Sequence, residues 1–153
     1  MIVHVLDTGA LYNLANKKHS PLWGERLELG PFDVVIVPAI VIAEANQARV
    51  LSNKFMDKLR QITDEGAAPI EERHAKMAAS RLRSVTRVRC ALCSDLGRPS
   101  LVDALVMAFA VDQITEDPAT RVVVHTSDCT DFERLRDGDN LFSKVTVSDV
   151  NDP

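Results

Sequence analysis

An α/β fold with a mostly parallel, five-stranded sheet is what the sequence predicts, on three observations. Short β-rich runs recur at residues 2–6 (Ile-Val-His-Val-Leu), 33–37 and 121–125. Helical patterns separate them, and strands alternating with helices form a parallel sheet covered on both faces. No repeat, low-complexity tract or linker interrupts the 153 residues, so they are read as one domain, 1–153.

The elements follow in order. The first strand, residues 2–6, ends on Asp7-Thr8-Gly9, and a helix pattern runs from Ala10 to about Lys17, closed by Ser20-Pro21. Leu22 to Pro31 is irregular or carries a short helix. The second strand, Asp33 to Val37, passes through Pro38 into a helix containing Glu44. Helical spacing groups Ile40, Val41, Glu44, Ala48 and Leu51 on one largely apolar stripe. A carboxylate buried on such a stripe costs several kcal/mol unless it is paired or holds a metal. The bland reading is a rotated helix with Glu44 reaching solvent.

A helix over 53–63 ends near Gly66, and Ala67–Ile70 forms a short third strand. Glu71-Glu72 then opens a helix running to about Arg83, with acids suitably in its first turn. Residues 84–98 carry no clear pattern. Ser100 caps a helix that stays apolar from Ala104 to Val111, which implies burial on most sides, Met107 and Phe109 included. Asp117-Pro118 breaks it. Arg121–His125 is the fourth strand, 126–137 a turn and short helix, and Lys144–Val147 the fifth strand.

This order places acids together. Asp7 and Asp128 follow strands one and four, while Glu44 and Asp103 lie in early turns of helices. Ligands bind open parallel sheets outside the carboxyl ends of strands where the order reverses. With the order 3-2-1-4-5, strands one and four flank that point and four carboxylates converge on one crevice. Each acid has a local alternative: Asp7 as a helix cap, Asp103 in a capping box with Ser100, Asp128 in a turn with Thr126 and Ser127. Clustered anions raise one another's pKa values, and Mg²⁺ or Mn²⁺, bound by hard oxygens, removes that repulsion. Such ions support in-line phosphodiester displacement.

Four blocks now carry a resemblance: Leu6-Asp7-Thr8-Gly9-Ala10-Leu11, Pro38 to Glu44, Ser100-Leu-Val-Asp103-Ala-Leu, and Thr126-Ser127-Asp128-Cys-Thr-Asp131-Phe132. In this order they resemble PIN-domain proteins, more narrowly the VapC-type ribonuclease toxins of bacterial toxin–antitoxin pairs. The resemblance implies an α/β/α sandwich and Mg²⁺- or Mn²⁺-dependent endoribonuclease activity. It assigns the metal-site roles to Asp7, Glu44, Asp103 and Asp128, supporting hydroxyls to Thr8 and Thr126, and an accessory acid to Asp131. It also implies an RNA substrate, a small antitoxin partner and a homodimer. The match fades between Gln47 and Arg98.

Other signals bound the reading. A net charge of −4 argues against a protein coated in basic residues, although 73–98 holds seven Lys/Arg against the single acid Asp95. From that stretch Arg81, Arg83, Arg87 and Arg89 are candidates to grip an RNA backbone, against the alternative of a solvated face. Cys90 and Cys93 form a lone C-x-x-C, and with only Cys129, His4, His19, His74 and His125 left as ligands they read as small buried hydrophobes. Tyr12 and Trp23 are too few for a base-stacking platform. P-loop, dinucleotide-fold, H-E-x-x-H and nucleophile-elbow motifs are absent from the sequence. Three cysteines without a secretory signal or membrane span predict a cytoplasmic protein. The rival readings are a non-cleaving RNA- or protein-binding scaffold, and a metal-dependent nuclease outside a toxin–antitoxin module.

Overall fold

The structure, a computed structural model, describes residues 1–15, 29–47, 53, 57, 60, 63, 67–85, 97 and 99–151. Most of the expected 53–63 helix, most of 84–98, and Arg87, Arg89, Cys90 and Cys93 lie outside the described residues. Five strands form one sheet in the order β3-β2-β1-β4-β5, every neighbouring pair parallel, with helices on both sides. The strands are β1 (Ile2–Leu6), β2 (Val34–Pro38), β3 (Ala67–Ala68), β4 (Arg121–Thr126) and β5 (Thr146–Asp149). The described helices are α1 (Thr8–Ala15), α2 (Ala39–Gln47), α3 (Glu72–Ser84), α4 (Leu101–Glu116) and α5 (Cys129–Arg136).

The elements differ from expectation mainly at their ends. Helix α1 begins two residues early because Asp7 caps it directly: Asp7 Oδ1 accepts the Ala10 N–H at 2.8 Å. Strand β5 begins two residues late. Asp139 Oδ1 accepts the N–H groups of Leu141 and Phe142, at 2.8 and 3.0 Å, and a 3₁₀ turn over Phe142–Lys144 follows with Phe142 buried. That turn uses up residues that the hydrophobic pattern alone assigns to a strand.

Helix α4 is the centre of the core. Every residue from Ala104 to Asp112 is buried, as its unbroken apolar run demands. It packs along α3 and also touches α2, α5, β1 and β4. Ser100 caps it, accepting the Asp103 N–H at 3.1 Å. The one acid in its buried run is held. Asp112 Oδ2 lies 3.0 Å from both His74 Nε2 and Arg73 Nη2. His74 Nδ1 accepts the Glu71 N–H at 2.9 Å, so the proton sits on Nε2 and is donated to Asp112. Among the described residues, no helix is long and apolar enough to cross a membrane.

Candidate active site

Asp7 is the residue on which two elements meet. It directly follows β1, caps α1 with Oδ1, and takes the Thr126 hydroxyl on Oδ2 at 2.6 Å. The Thr126 side chain is fully buried at the end of β4, and its oxygen also accepts the Asp128 N–H at 2.9 Å. With that lone pair occupied, its own hydrogen is free to point at Asp7. One hydroxyl therefore ties the acid after β1 to the backbone of the acid after β4.

Asp7 is 7% exposed. Burial pushes its carboxyl up to about 6, and the charges of Asp103 and Glu44 add to this against the hydrogen bonds from Thr126 and Ala10. Asp103, half-buried in the first turn of α4, is likewise pushed up to about 6. Burial is the main cause, the Asp131 and Asp128 charges add to it, and hydrogen bonding with Ser100 opposes it. Asp128 occupies the N-cap position of α5, yet its side chain makes no capping bond and is exposed. Its carboxylate is not spent on the helix.

Glu44 departs from its expected setting. The buried residues of α2 are Val41 and Ala45, and the helix is turned so that Glu44 is exposed. It is nevertheless drawn to the cleft, because the Thr8 hydroxyl at the start of α1 donates to Glu44 Oε2. The five acids thus form a chain of mutual influence: Glu44 and Asp103 act on Asp7, while Asp128 and Asp131 act on Asp103. The donor set is carboxylate and hydroxyl oxygen throughout, which suits a hard divalent cation. The spacing is not preassembled: among the described residues, no three His, Cys, Asp or Glu side chains stand together closely enough to hold an ion. A cavity of about 350 Å³ lies elsewhere, between β2 and the His74–Asp112 pair, and its described lining contains none of the five acids.

Gly9 explains how the halves approach. A Cβ at this position would lie 1.9 Å from Ser127 Oγ, 2.9 Å from its Cβ and 3.0 Å from its backbone nitrogen. The hydroxyl can rotate away, but the other two atoms move only with the loop that carries Asp128. Gly9→Ala is expected to destabilise the fold by about 1–3 kcal/mol, the usual cost of overpacking. Urea unfolding measures it, and an unchanged midpoint would mean that the loop yields freely.

The basic candidates fare differently. Arg83 is exposed. Arg81 is buried and committed: its Nε donates to Leu135 O at 2.6 Å, its Nη2 to Arg134 O and Asp137 O at 3.2 and 2.6 Å, and its guanidinium lies 5.7 Å from the Phe142 ring centre. It satisfies carbonyls at the end of α5, where helix termini need donors, and is not free to meet phosphate. Nearby Arg73 is shared among Glu71, Asp112 and Glu116, and Lys76 pairs with Glu72. Much of this stretch is a neutralised face. Among the described histidines, His74 bonds Asp112, and His4 Nδ1 lies 2.9 Å from His125 Nε2 with the rings stacked, while His19 lies outside the described residues. Burial lowers both, His125 to about 4. Half-buried Cys129 is pushed up to about 11, by burial and then by Asp149 and Glu133.

No protein-family model and no curated protein matches the chain. Solved structures do. The crystal structure of FitAcB from Neisseria gonorrhoeae matches with a TM-score of 0.60 and 19% identity over 98% of each chain. VapBC-1 from nontypeable Haemophilus influenzae matches with a TM-score of 0.58 and 18% identity, over 98% of this chain and 99% of that one. The fold is PIN-like. In this PIN-like fold Asp7 and Asp128 follow the carboxyl ends of β1 and β4, Asp103 and Asp131 lie in the first turns of α4 and α5, and Glu44 lies further into α2. Sequence reasoning missed the work of Arg81 and the close approach at Gly9. The first leaves no local signal, and the second is hinted at only by a glycine directly inside a helix start.

Proposed function

We propose that this chain is a Mg²⁺- or Mn²⁺-dependent endoribonuclease and the toxin half of a toxin–antitoxin pair. The observation that carries the reading is the electrostatic coupling of Asp7, Glu44, Asp103 and Asp128 at the switch point of the sheet, with Asp7 and Asp103 both pushed up to about 6. Similarity to the FitAcB and VapBC-1 toxin–antitoxin structures supports an antitoxin partner; that this partner covers the acidic cleft and that a second copy of the chain is its dimer mate are further parts of the proposal.

Asp7, Glu44, Asp103 and Asp128 would hold one or two divalent ions. Such an ion supplies Lewis acidity toward the phosphate and lowers the pKa of water. The chain's residues orient and balance charge. Thr126 fixes Oδ2 of Asp7, Thr8 turns Glu44 inward, and Asp131, paired with Arg134 at 3.1 Å, stays an accessory acid. Water attacking phosphorus in line with the 3′ oxygen would form a P–O bond as the P–O3′ bond breaks, leaving a 5′-phosphate on one fragment and, once the displaced oxygen takes up a proton, a 3′-hydroxyl on the other, with no 2′-hydroxyl nucleophile. A non-cleaving RNA- or protein-binding scaffold is favoured by one observation, the absence of three preassembled acids among the described residues.

One experiment separates the two. Purified full-length chain is incubated with RNA after exhaustive chelation and again after Mg²⁺ or Mn²⁺ is restored. The nuclease cuts only with the metal and leaves 5′-phosphate ends. Cleavage that survives chelation, or RNA left intact with metal restored, overturns the reading.

A further inference from the structure

Arg134 lies in the last turn of α5 with its side chain 14% exposed, and a guanidinium so far from water needs partners for its donors. Nη1 donates to Asp131 Oδ1 at 3.1 Å, one turn back along the same helix. Nη2 donates to the carbonyl of Gly97 at 2.6 Å. Gly97 lies three residues before Ser100, the cap of α4, and Asp103 follows in that helix's first turn. A single side chain therefore fastens the helix that carries Asp131, and that Asp128 opens, to the stretch leading into the helix of Asp103. The main chain of Arg134 is anchored in turn, because Arg81 reaches from α3 to its carbonyl.

Such a fastening has work to do. Asp103, Asp128 and Asp131 are like charges at the starts of two helices, and their repulsion drives those starts apart. A slip of one residue along a helix is about 1.5 Å, while ligand distances around an ion are set within roughly 0.2 Å. We propose that Arg134 is a positioning residue that holds Asp103 beside Asp128 for a divalent cation without touching the ion or the RNA. This rests on the metal-dependent reading above. The planar fork of arginine suits two acceptors at once, and lysine, a point donor, serves only one of them fully.

The test uses full-length chain carrying Arg134→Met, Arg134→Lys or Asp131→Asn, with Mn²⁺ alone as the probe. Calorimetry reads Mn²⁺ affinity, RNA cleavage reads kcat and KM, and hydrogen exchange without metal reads residues 101–105. Val111→Ala, in the buried middle of α4, controls for a general loss of stability. Arg134→Met is expected to weaken Mn²⁺ binding about 10–100-fold, lower kcat with little change in KM, and speed exchange at the start of α4. Arg134→Lys recovers part of this, and Asp131→Asn, which leaves the Gly97 bond intact, loses far less affinity than Arg134→Met. Wild-type Mn²⁺ affinity in Arg134→Met, or an equal loss in Val111→Ala, overturns the proposal. If the wild-type chain neither binds Mn²⁺ nor cuts RNA, the nuclease reading falls first. Exchange then decides the fastening by itself: faster in Arg134→Met keeps it, and unchanged removes it.

Discussion

Asp7→Asn is expected to reduce RNA cleavage by at least about 100-fold in a protein that still folds. The substitution separates the two jobs of this side chain. Asparagine caps helices nearly as well as aspartate, so one oxygen still accepts the Ala10 N–H. Its amide nitrogen can donate to the Thr126 hydroxyl, which has a lone pair to offer. Only the negative charge is lost, and with it the attraction for a hard cation. Asp103→Asn should behave alike, because the Ser100 cap on its backbone N–H does not depend on its charge. The check is a gel cleavage assay with Mg²⁺ beside a thermal melt. Full activity in both variants would return the two residues to helix capping.

The same substitution should reveal a stability penalty with an unusual sign. Asp7 is 7% exposed and its carboxyl rises from 3.8 to about 6 on folding, equivalent to about 3 kcal/mol when fully expressed. Below about pH 3 the group is largely protonated in both the folded and unfolded chains, and the penalty vanishes. Between pH 4 and 6 the unfolded chain ionises first, so stability falls as pH rises. Above the folded value the penalty is complete. Metal-free Asp7→Asn should therefore match wild type at about pH 3 and exceed it by about 3 kcal/mol at about pH 7.5. Urea unfolding across that range measures the difference, and a gap that does not change with pH would refute it. Added Mg²⁺ or Mn²⁺ should raise the melting temperature of wild type at pH 7.5 and leave Asp7→Asn nearly unmoved, since a ligand stabilises only the state that binds it.

Both expectations begin from residues readable in the chain. Asp7, Asp103 and Asp128 were visible because the β-rich runs and capping positions flanking them have strong local signatures. The alternation of those runs with helices is enough for parallel pairing, whereas the order 3-2-1-4-5 entered as a condition that the sheet itself meets. Glu44 shows where local pattern stops. Its apolar neighbours suggested a buried face, but the packing of Val41 and Ala45 rotated the helix and left the carboxylate exposed beside Thr8. Composition likewise offered Arg81 to RNA, whereas the structure spends it on the carbonyls ending α5.

The sequence by itself determined which segments become strands and helices, and hence that acids stand at strand ends and helix starts. Those are properties of a residue and its near neighbours. Tertiary structure alone decided which way α2 faces, that Arg81 is spent inside the fold, and that the Thr126 hydroxyl, which also takes the Asp128 N–H, reaches Asp7 across 119 positions of chain. Burial and long-range hydrogen bonds fix such matters, and their strength depends on what the rest of the fold removes from water.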